Sequence, residues 1–160
     1  MAVRNFNEFG ENLIEITKRL LANQNLCKLL IYADKNPLKK VDIANTKDLL
    51  HKRIRILPKV DPQETTESTV VLMFNNGFVN QHNSEFKTLN LLVYVYVPFE
   101  EWLINDAQLR PFAIMSEIQK SLDDKQVKGL GKLRLQEFSV DLLTDEMGAY
   151  RMNFTLDVFN

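Results

Sequence analysis

The groups in this 160-residue chain with the reach to do chemistry are few: His51 and His82, the single cysteine Cys27, a "GLGK" at 129–132, and three pairs of adjacent acids, Glu100 and Glu101, Asp123 and Asp124, Asp145 and Glu146. A zinc site takes about three or four ligands at a recognisable spacing, and neither histidine has an acid or a cysteine so placed. No metal site is expected. Cys27 stands among Leu26, Leu29 and Leu30, the surroundings of a small buried hydrophobe rather than of an activated nucleophile. A phosphate loop needs further glycines and a hydroxyl residue after its lysine. Here Leu133 follows Lys132, so the segment reads as a flexible lead-in to a strand. General acid or base work calls for an enclosed pocket that shifts a pKa, whereas adjacent acids on loops are solvated. The chain is expected to be no enzyme, with no catalytic residue and no cofactor.

Twenty basic residues against twenty-one acidic leave a net charge of −1, without a broad positive field for gripping phosphates. With 45% hydrophobic and 26% charged residues, the composition is that of a soluble globular chain, neither disordered nor membrane-embedded. One cysteine excludes an internal disulfide and fits a reducing compartment. The opening "MAVRNFNEFGENL" lacks a secretory pattern, and no run nears the roughly twenty apolar residues of a bilayer span, so cytoplasmic synthesis and first action are expected. The length suits one domain, residues 1–160. The densest basic stretch, Lys39, Lys40 and "HKRIR" at 51–55, has two readings: contact with nucleic acid or an acidic partner, or a solvated edge strand guarded by its cations. Aromatics do not interleave with it, as base stacking would need.

Periodicity supplies the elements that carry these residues. Asn5, with Glu8 three residues on, reads as an N-cap and its partner, and Phe9, Leu13, Ile16 and Leu20 recur at helical spacing. Through "ANQNLCKLLIYAD" the helix continues or restarts at Asn25, and Pro37 bars it from going further. Residues 36–52 are expected to be irregular, with a short helical turn at "TKDLLHK". "KRIRILPKV" alternates around Ile54 and Ile56 and stops at Pro58, which suits a strand end or an edge. The polar "DPQETTES", 61–68, is expected as an exposed loop that orders only against a partner. "TVVLMFNNG" reads as a buried strand leading into residues that accept positive φ, for a turn or bend.

In "FKTLNLLVYVYVP", 86–98, Leu89, Leu91, Val93, Val95 and Val97 form one face, and Thr88, Asn90, Leu92, Tyr94 and Tyr96 the other. Pro111 places the start of a helix near Leu109, with Phe112, Met115, Ile118 and Leu122 as its buried stripe. "GLGKLRLQEFSVDLL" puts Leu133 and Leu135 in one phase and Phe138, Val140 and Leu142 in the other, the mark of a β-bulge at Gln136 and Glu137. "TDEMGA" turns the chain into "YRMNFTLDVFN", where Met152, Phe154, Leu156 and Val158 alternate with Arg151, Asn153, Thr155 and Asp157. Either this strand is central in a sheet or a neighbouring molecule pins it. The expected fold is α+β, in the order helix, three strands, helix, two strands, with a mostly antiparallel sheet and helices on one face.

Leu92, Tyr94 and Tyr96 lie opposite the valine-rich face, and "FEEW" adds Phe99 and Trp102 just beyond. Tyrosine and tryptophan join a large apolar area to a polar tip, which suits contact patches. Two readings stand: the face meets another molecule, or the leucine-rich segment after Asn25 covers it.

The order of elements, the length, the leading "LIEITKRLLANQNLCKLLIYADKNPL", the helix "QLRPFAIMSEIQKSLDD" and the closing pair "GLGKLRLQEFSVDLL" and "YRMNFTLDVFN" resemble neck proteins of long-tailed bacteriophages, in particular the tail terminator and tail-to-head joining group. The resemblance covers nearly the whole chain. It implies a virion structural protein that forms a closed ring, typically a hexamer, on the last ring of tail tube protein, stops tube growth and presents a surface to the head completion proteins of the neck. Its partners would be further copies of itself, the tail tube protein and a head completion protein. DNA would only pass through the central channel, and no membrane would be involved. It would reside in the virion, in the tail and neck, after assembly in the host cytoplasm.

The candidate subunit or partner interface on this reading is Leu92, Tyr94, Tyr96, Phe99, Trp102, Arg151, Asn153, Thr155 and Asp157, the last four facing a neighbour or the channel, with the final strand held by a sheet that spans subunits. Three alternatives predict other things. A head completion or stopper protein would bind the portal side of the same joint. A small-ligand-binding or enzymatic α+β domain would be a monomer with a deep pocket between helices and sheet. A nucleic-acid adaptor using residues 39–55 would bind DNA in a salt-sensitive way.

Overall fold

The computed structural model describes residues 5–56, 66–79, 81–82, 86–105 and 107–157. The expectations for Pro58, for residues 61–65 of the polar loop and for Val158 fall outside them. Helix α1 (Phe6–Leu21) starts at the foreseen cap: the Asn5 side chain accepts from the Glu8 amide at 3.2 Å and donates to the Glu8 carboxylate at 2.9 Å. The chain then restarts rather than continues. Asn23 caps α2 (Gln24–Ile31) by accepting from the Leu26 amide at 3.0 Å. Short 3-10 turns at Pro37–Lys39 and Thr46–Leu49 follow, and β1 (Ile54–Arg55) is only two residues long.

β2 (Thr69–Val79) does not turn at Asn75. A register shift between Phe74 and Asn76 bends it, and it continues antiparallel to β3 (Phe86–Pro98). A small hairpin, β4 (Leu103–Ile104) and β5 (Gln108–Leu109), leads into α3 (Arg110–Leu122), whose Pro111 occupies the first turn. The first turn tolerates proline because its amide has no intrahelical acceptor there. Asn23 ties the start of α2 to α3, donating to the Glu117 carboxylate at 3.1 Å and the Ser121 hydroxyl at 2.9 Å. Then β6 (Gln126–Val127), β7 (Gly131–Leu143) and β8 (Met147–Asp157) complete the elements; Gly129 and Gly131, at φ 79° and 97°, take the left-handed turn before β7 that a side chain would strain.

The main sheet runs β1-β2-β3-β8-β7-β6 and is antiparallel except for β1 beside β2. The fold is α+β as expected, with α2, the β4–β5 hairpin and β6 added to the foreseen order. β8 is interior: Leu156 pairs with Leu89 on one side and Leu133 on the other, and Asp157 pairs with Thr88. Its central position holds it, and the expectation that a neighbouring subunit's sheet is needed to do so is not met.

The core lies between the helices and one face of this sheet. Leu89, Leu91, Val93, Val95 and Val97 are buried against Ile16, Leu20, Leu26, Leu29, Ile114, Ile118 and Leu122. Each such side chain contributes roughly 1.5–3 kcal/mol on burial. Two expectations are corrected. Phe112 stays 42% exposed, its ring resting against Tyr150 and Phe138, and Ile114 takes its place in the α3 stripe. In β7, Leu142 does not share a face with Phe138 and Val140: a second register shift, between Val140 and Leu142, puts Leu143 there instead.

The residue of α3 with the widest reach lies outside that stripe. Arg110 has no exposed surface, and its guanidinium donates to four backbone carbonyls: Nε to Glu101 at 2.7 Å, Nη1 to Leu29 at 2.6 Å and Tyr32 at 2.9 Å, and Nη2 to Asp34 at 2.7 Å. Three of these belong to the last turn of α2 and its exit, where helix carbonyls lack partners and the helix dipole favours a cation. Burial pulls its pKa down while Glu101 and Asp34 hold it up, and a guanidinium stays charged throughout the range in which proteins fold. Lysine offers no such fork. Arg110→Lys is expected to cost about 2–4 kcal/mol of unfolding free energy and Arg110→Ala at least as much, in urea titrations followed by circular dichroism. A wild-type midpoint in Arg110→Ala would mean that these carbonyls find other donors.

Candidate interaction surfaces

On the sheet face away from the helices, cross-strand register arranges side chains in rows. One row reads Met73, Leu92, Asn153, Glu137; the next Val71, Tyr94, Arg151, Ser139; the third Thr69, Tyr96, Ala149, Leu142. Leu92, Tyr94 and Tyr96 therefore do share a face with Arg151, Asn153 and Thr155, as the alternation requires, and the Asp157 backbone extends the same side. All three helices pack on the other side, α2 included, so the leucine-rich segment does not cover this face. Tyr94 and Tyr96 stack with ring centroids 6.3 Å apart. The Thr155 hydroxyl donates to Asn90 Oδ1 at 3.2 Å, and the Asn90 amide donates to Asn76.

This face is neither wholly wet nor wholly closed. Val71 and Leu92 are buried within it, beneath the larger side chains of neighbouring rows. Asn153 Oδ1 is buried with no hydrogen-bond donor among the described residues, an arrangement that costs on the order of 1–3 kcal/mol until a donor reaches it. Burial pushes the Tyr96 phenol up to about 12, with Asp141 and Tyr94 adding to the effect.

Phe99 and Trp102 do not join that face. They lie on the helix side, where Trp102 covers Gly148 so closely that a Cβ there would stand 2.6 Å from the indole ring. From Trp102 a chain of aromatic contacts runs outward: Phe99 at 5.1 Å, Tyr150 at 6.3 Å, then Phe112 at 5.1 Å and Phe138 at 6.2 Å from Tyr150. Phe138 is 57% exposed at its outer end. Sequence spacing placed Phe99 and Trp102 near Tyr96 along the chain; the turn at Phe99–Glu101 carries them to the opposite side. The signal that was missed is Gly148, a residue without a side chain in a strand, which marks a close approach.

The chemically capable residues are scattered. Cys27 is fully buried, its thiol pushed up to about 11 by that burial. His51, at φ 65°, and His82 are exposed on different connections. Among the described residues no group of three or more His, Cys, Asp or Glu side chains is placed to hold a metal ion. Ser68, expected on an exposed loop, is buried and donates to the Glu101 carboxylate at 2.7 Å. Of the basic stretch, His51, Lys52, Arg53 and Arg55 line a hollow of about 730 Å³ at the β1 edge, whereas Leu38, next to Lys39, lies against α3 with Phe112 and Ala113.

A family model described as YomW matches residues 23–156, most of the chain. The chain belongs to the YomW family, whose name is of a phage type. No curated protein matches it.

Two measurements check the geometry of these surfaces. Gly148→Ala is expected to displace the indole of Trp102, the one tryptophan of the chain, shifting its fluorescence to the red and costing about 1–3 kcal/mol; unchanged emission would mean that the ring is not seated on Gly148. The raised Tyr96 pKa means that its phenolate opposes folding, so this contribution is full below pH 10 and is lost as the pH rises through about 12. In ultraviolet titration Tyr96→Phe is expected to delete the latest of the tyrosine steps, and a surviving late step would place the buried phenol elsewhere.

Proposed function

Taking membership of the YomW family as the premise, we propose that this chain is a structural protein of a long-tailed phage particle, a tail terminator whose copies form a ring, of six, on the last ring of the tail tube and join it to the head completion proteins. The observation that supports this reading is the helix-free sheet face, where Met73, Leu92, Tyr94 and Tyr96 stand beside Arg151, Asn153 and Thr155. Antiparallel sheets that leave one face to water alternate apolar with polar side chains, and here the outer face is itself rich in large apolar groups. Half-buried tyrosines flanked by arginine and asparagine form the composition of a contact patch.

The action is geometric. One surface of each copy meets a different surface of the next, and the rotation between them closes the ring. A closed ring offers no free end to further tube subunits, so the tube stops there. The near-neutral charge of the chain suits a channel through which DNA slides without being held. No side chain makes or breaks a bond in this scheme, and no cofactor takes part.

Cryo-electron microscopy of assembled particles is expected to place one ring of this chain between tail tube and neck, and pull-down to recover the tail tube protein rather than the portal. Density on the portal side would favour a stopper, and a chain absent from the particle would end the reading. The double variant Tyr94→Asp, Tyr96→Asp is expected to keep a cooperative unfolding transition while losing capture by purified tail tubes, with retained capture excluding this face as the contact.

A further inference from the structure

The charges of this chain nearly cancel in sum, yet unpaired cations gather at the β1 edge of the sheet and unpaired acids on the part of β7 beyond β6, with Lys125 and Lys128 flanking β6 itself. At the β1 edge, Lys52 and Arg55 have no acidic partner among the described residues, nor does Lys47 on the turn beside it; of the acids there, Asp42 is paired with Lys28 and Glu67 with Arg53, while Asp48 accepts only from the neutral Asn45 amide at 3.1 Å. On β7, Glu137 and Asp141 have no cationic partner among the described residues, Lys132 and Arg134 being turned to Asp124 further along. Arg151 is the nearest other cation by register, one strand in, opposite Ser139.

Apolar surface is divided in a matching way. β6 pairs only with Gly131 and Lys132, so from Gln136 to Leu143 the strand β7 has β8 alone as a neighbour. Its two bulges bring Phe138, Val140 and Leu143 to one side, 57%, 54% and 67% exposed. At the other edge, the hollow of about 730 Å³ is lined by Ile31, Ile43 and Leu49 together with Lys52, Arg53 and Arg55. The two features stand at opposite ends of the same cross-strand rows, since β1 pairs with Val70 and Val71 while Ser139 and Leu142 end the rows that start at Val71 and Thr69.

We propose that these two edges are the contact between successive copies of this chain: Phe138, Val140 and Leu143 of one copy seat in the hollow beside β1 of the next, while Glu137 and Asp141 meet Lys52 and Arg55. The occupant is a second copy because both complementary surfaces, opposite in charge and in shape, are carried by the one chain. The contact deepens the ring reading, on which it rests, because unlike surfaces at opposite edges give a head-to-tail repeat and not a two-fold pair. Side chains make the contact rather than a continued ladder, since the bulges in β7 interrupt the regular edge that main-chain pairing would need.

Charge exchange tests it. In sedimentation velocity at low salt the wild-type chain is expected to self-associate, less so as salt is raised. Lys52→Glu with Arg55→Glu in one variant, and Glu137→Lys with Asp141→Lys in another, are each expected to weaken that association about a hundredfold with the circular dichroism spectrum unchanged. Mixing the two variants, or joining all four substitutions in one chain, is expected to restore it. Wild-type-like assembly by either double variant would overturn the proposed contact and leave the ring reading standing. Loss without restoration would overturn it too, since the edges would then not be facing one another. A wild-type chain monomeric at every concentration and salt would also overturn it, and imaging of particles judges the ring separately.

Discussion

Four backbone carbonyls from two separate stretches converge on one guanidinium, and the placing of the helices over the sheet depends on that convergence. Arg110 stands at the first residue of α3, yet it closes the exit of α2 through Leu29, Tyr32 and Asp34 and fixes the turn at Phe99–Glu101 through the Glu101 carbonyl. A buried cation with four of its five N–H donors placed on carbonyls is stable there. The same cation without them would be intolerable. The consequences spread outward: the Glu101 carboxylate takes the Ser68 hydroxyl at the start of β2, and the Trp102 carbonyl accepts from the Arg110 amide at 2.7 Å. Trp102 is thereby held over Gly148, and the aromatic chain to Phe138 begins from a fixed point.

The second constraint is the mismatch in size between sheet and helices. Leu133, Leu135, Phe138, Val140 and Leu143 all face the helix side because two bulges correct the phase of β7, but only Leu133 is fully buried. Phe138, Val140 and Leu143 run beyond the cover of α3. On the far side the stacked tyrosines and Leu92 are left without a helix. A small chain that carries apolar groups on both sides of its sheet has core enough in Leu89–Val97 and the helix stripes to stand, and the surplus faces outward.

Much of this architecture was legible along the chain. Asn5 and Glu8 gave the start of α1, the alternation through 86–98 gave β3 with its correct inner face, Pro111 gave the start of α3, and the slip at Gln136 and Glu137 gave a bulge. Phe112 was misassigned because helical spacing shows which side chains share a face and not how deeply each of them is covered. Leu142 was misassigned because one phase slip was visible and a second was not. Of the residues expected to form an interface, Leu92, Tyr94, Tyr96, Arg151, Asn153 and Thr155 gather on one face by register alone, whereas Phe99 and Trp102 belong to the other.

The sequence by itself determined the elements and the inner and outer face of each strand, because a repeating φ, ψ pair fixes where successive side chains point without reference to anything distant. Only the tertiary structure decided that β8 lies between β3 and β7, that Arg110 reaches back to α2 across 76 to 81 residues of chain, and that Lys52 and Arg55 come to rest at the opposite side of the sheet from Glu137 and Asp141. Those outcomes turn on which segments pair at long range, and local spacing carries no record of that choice.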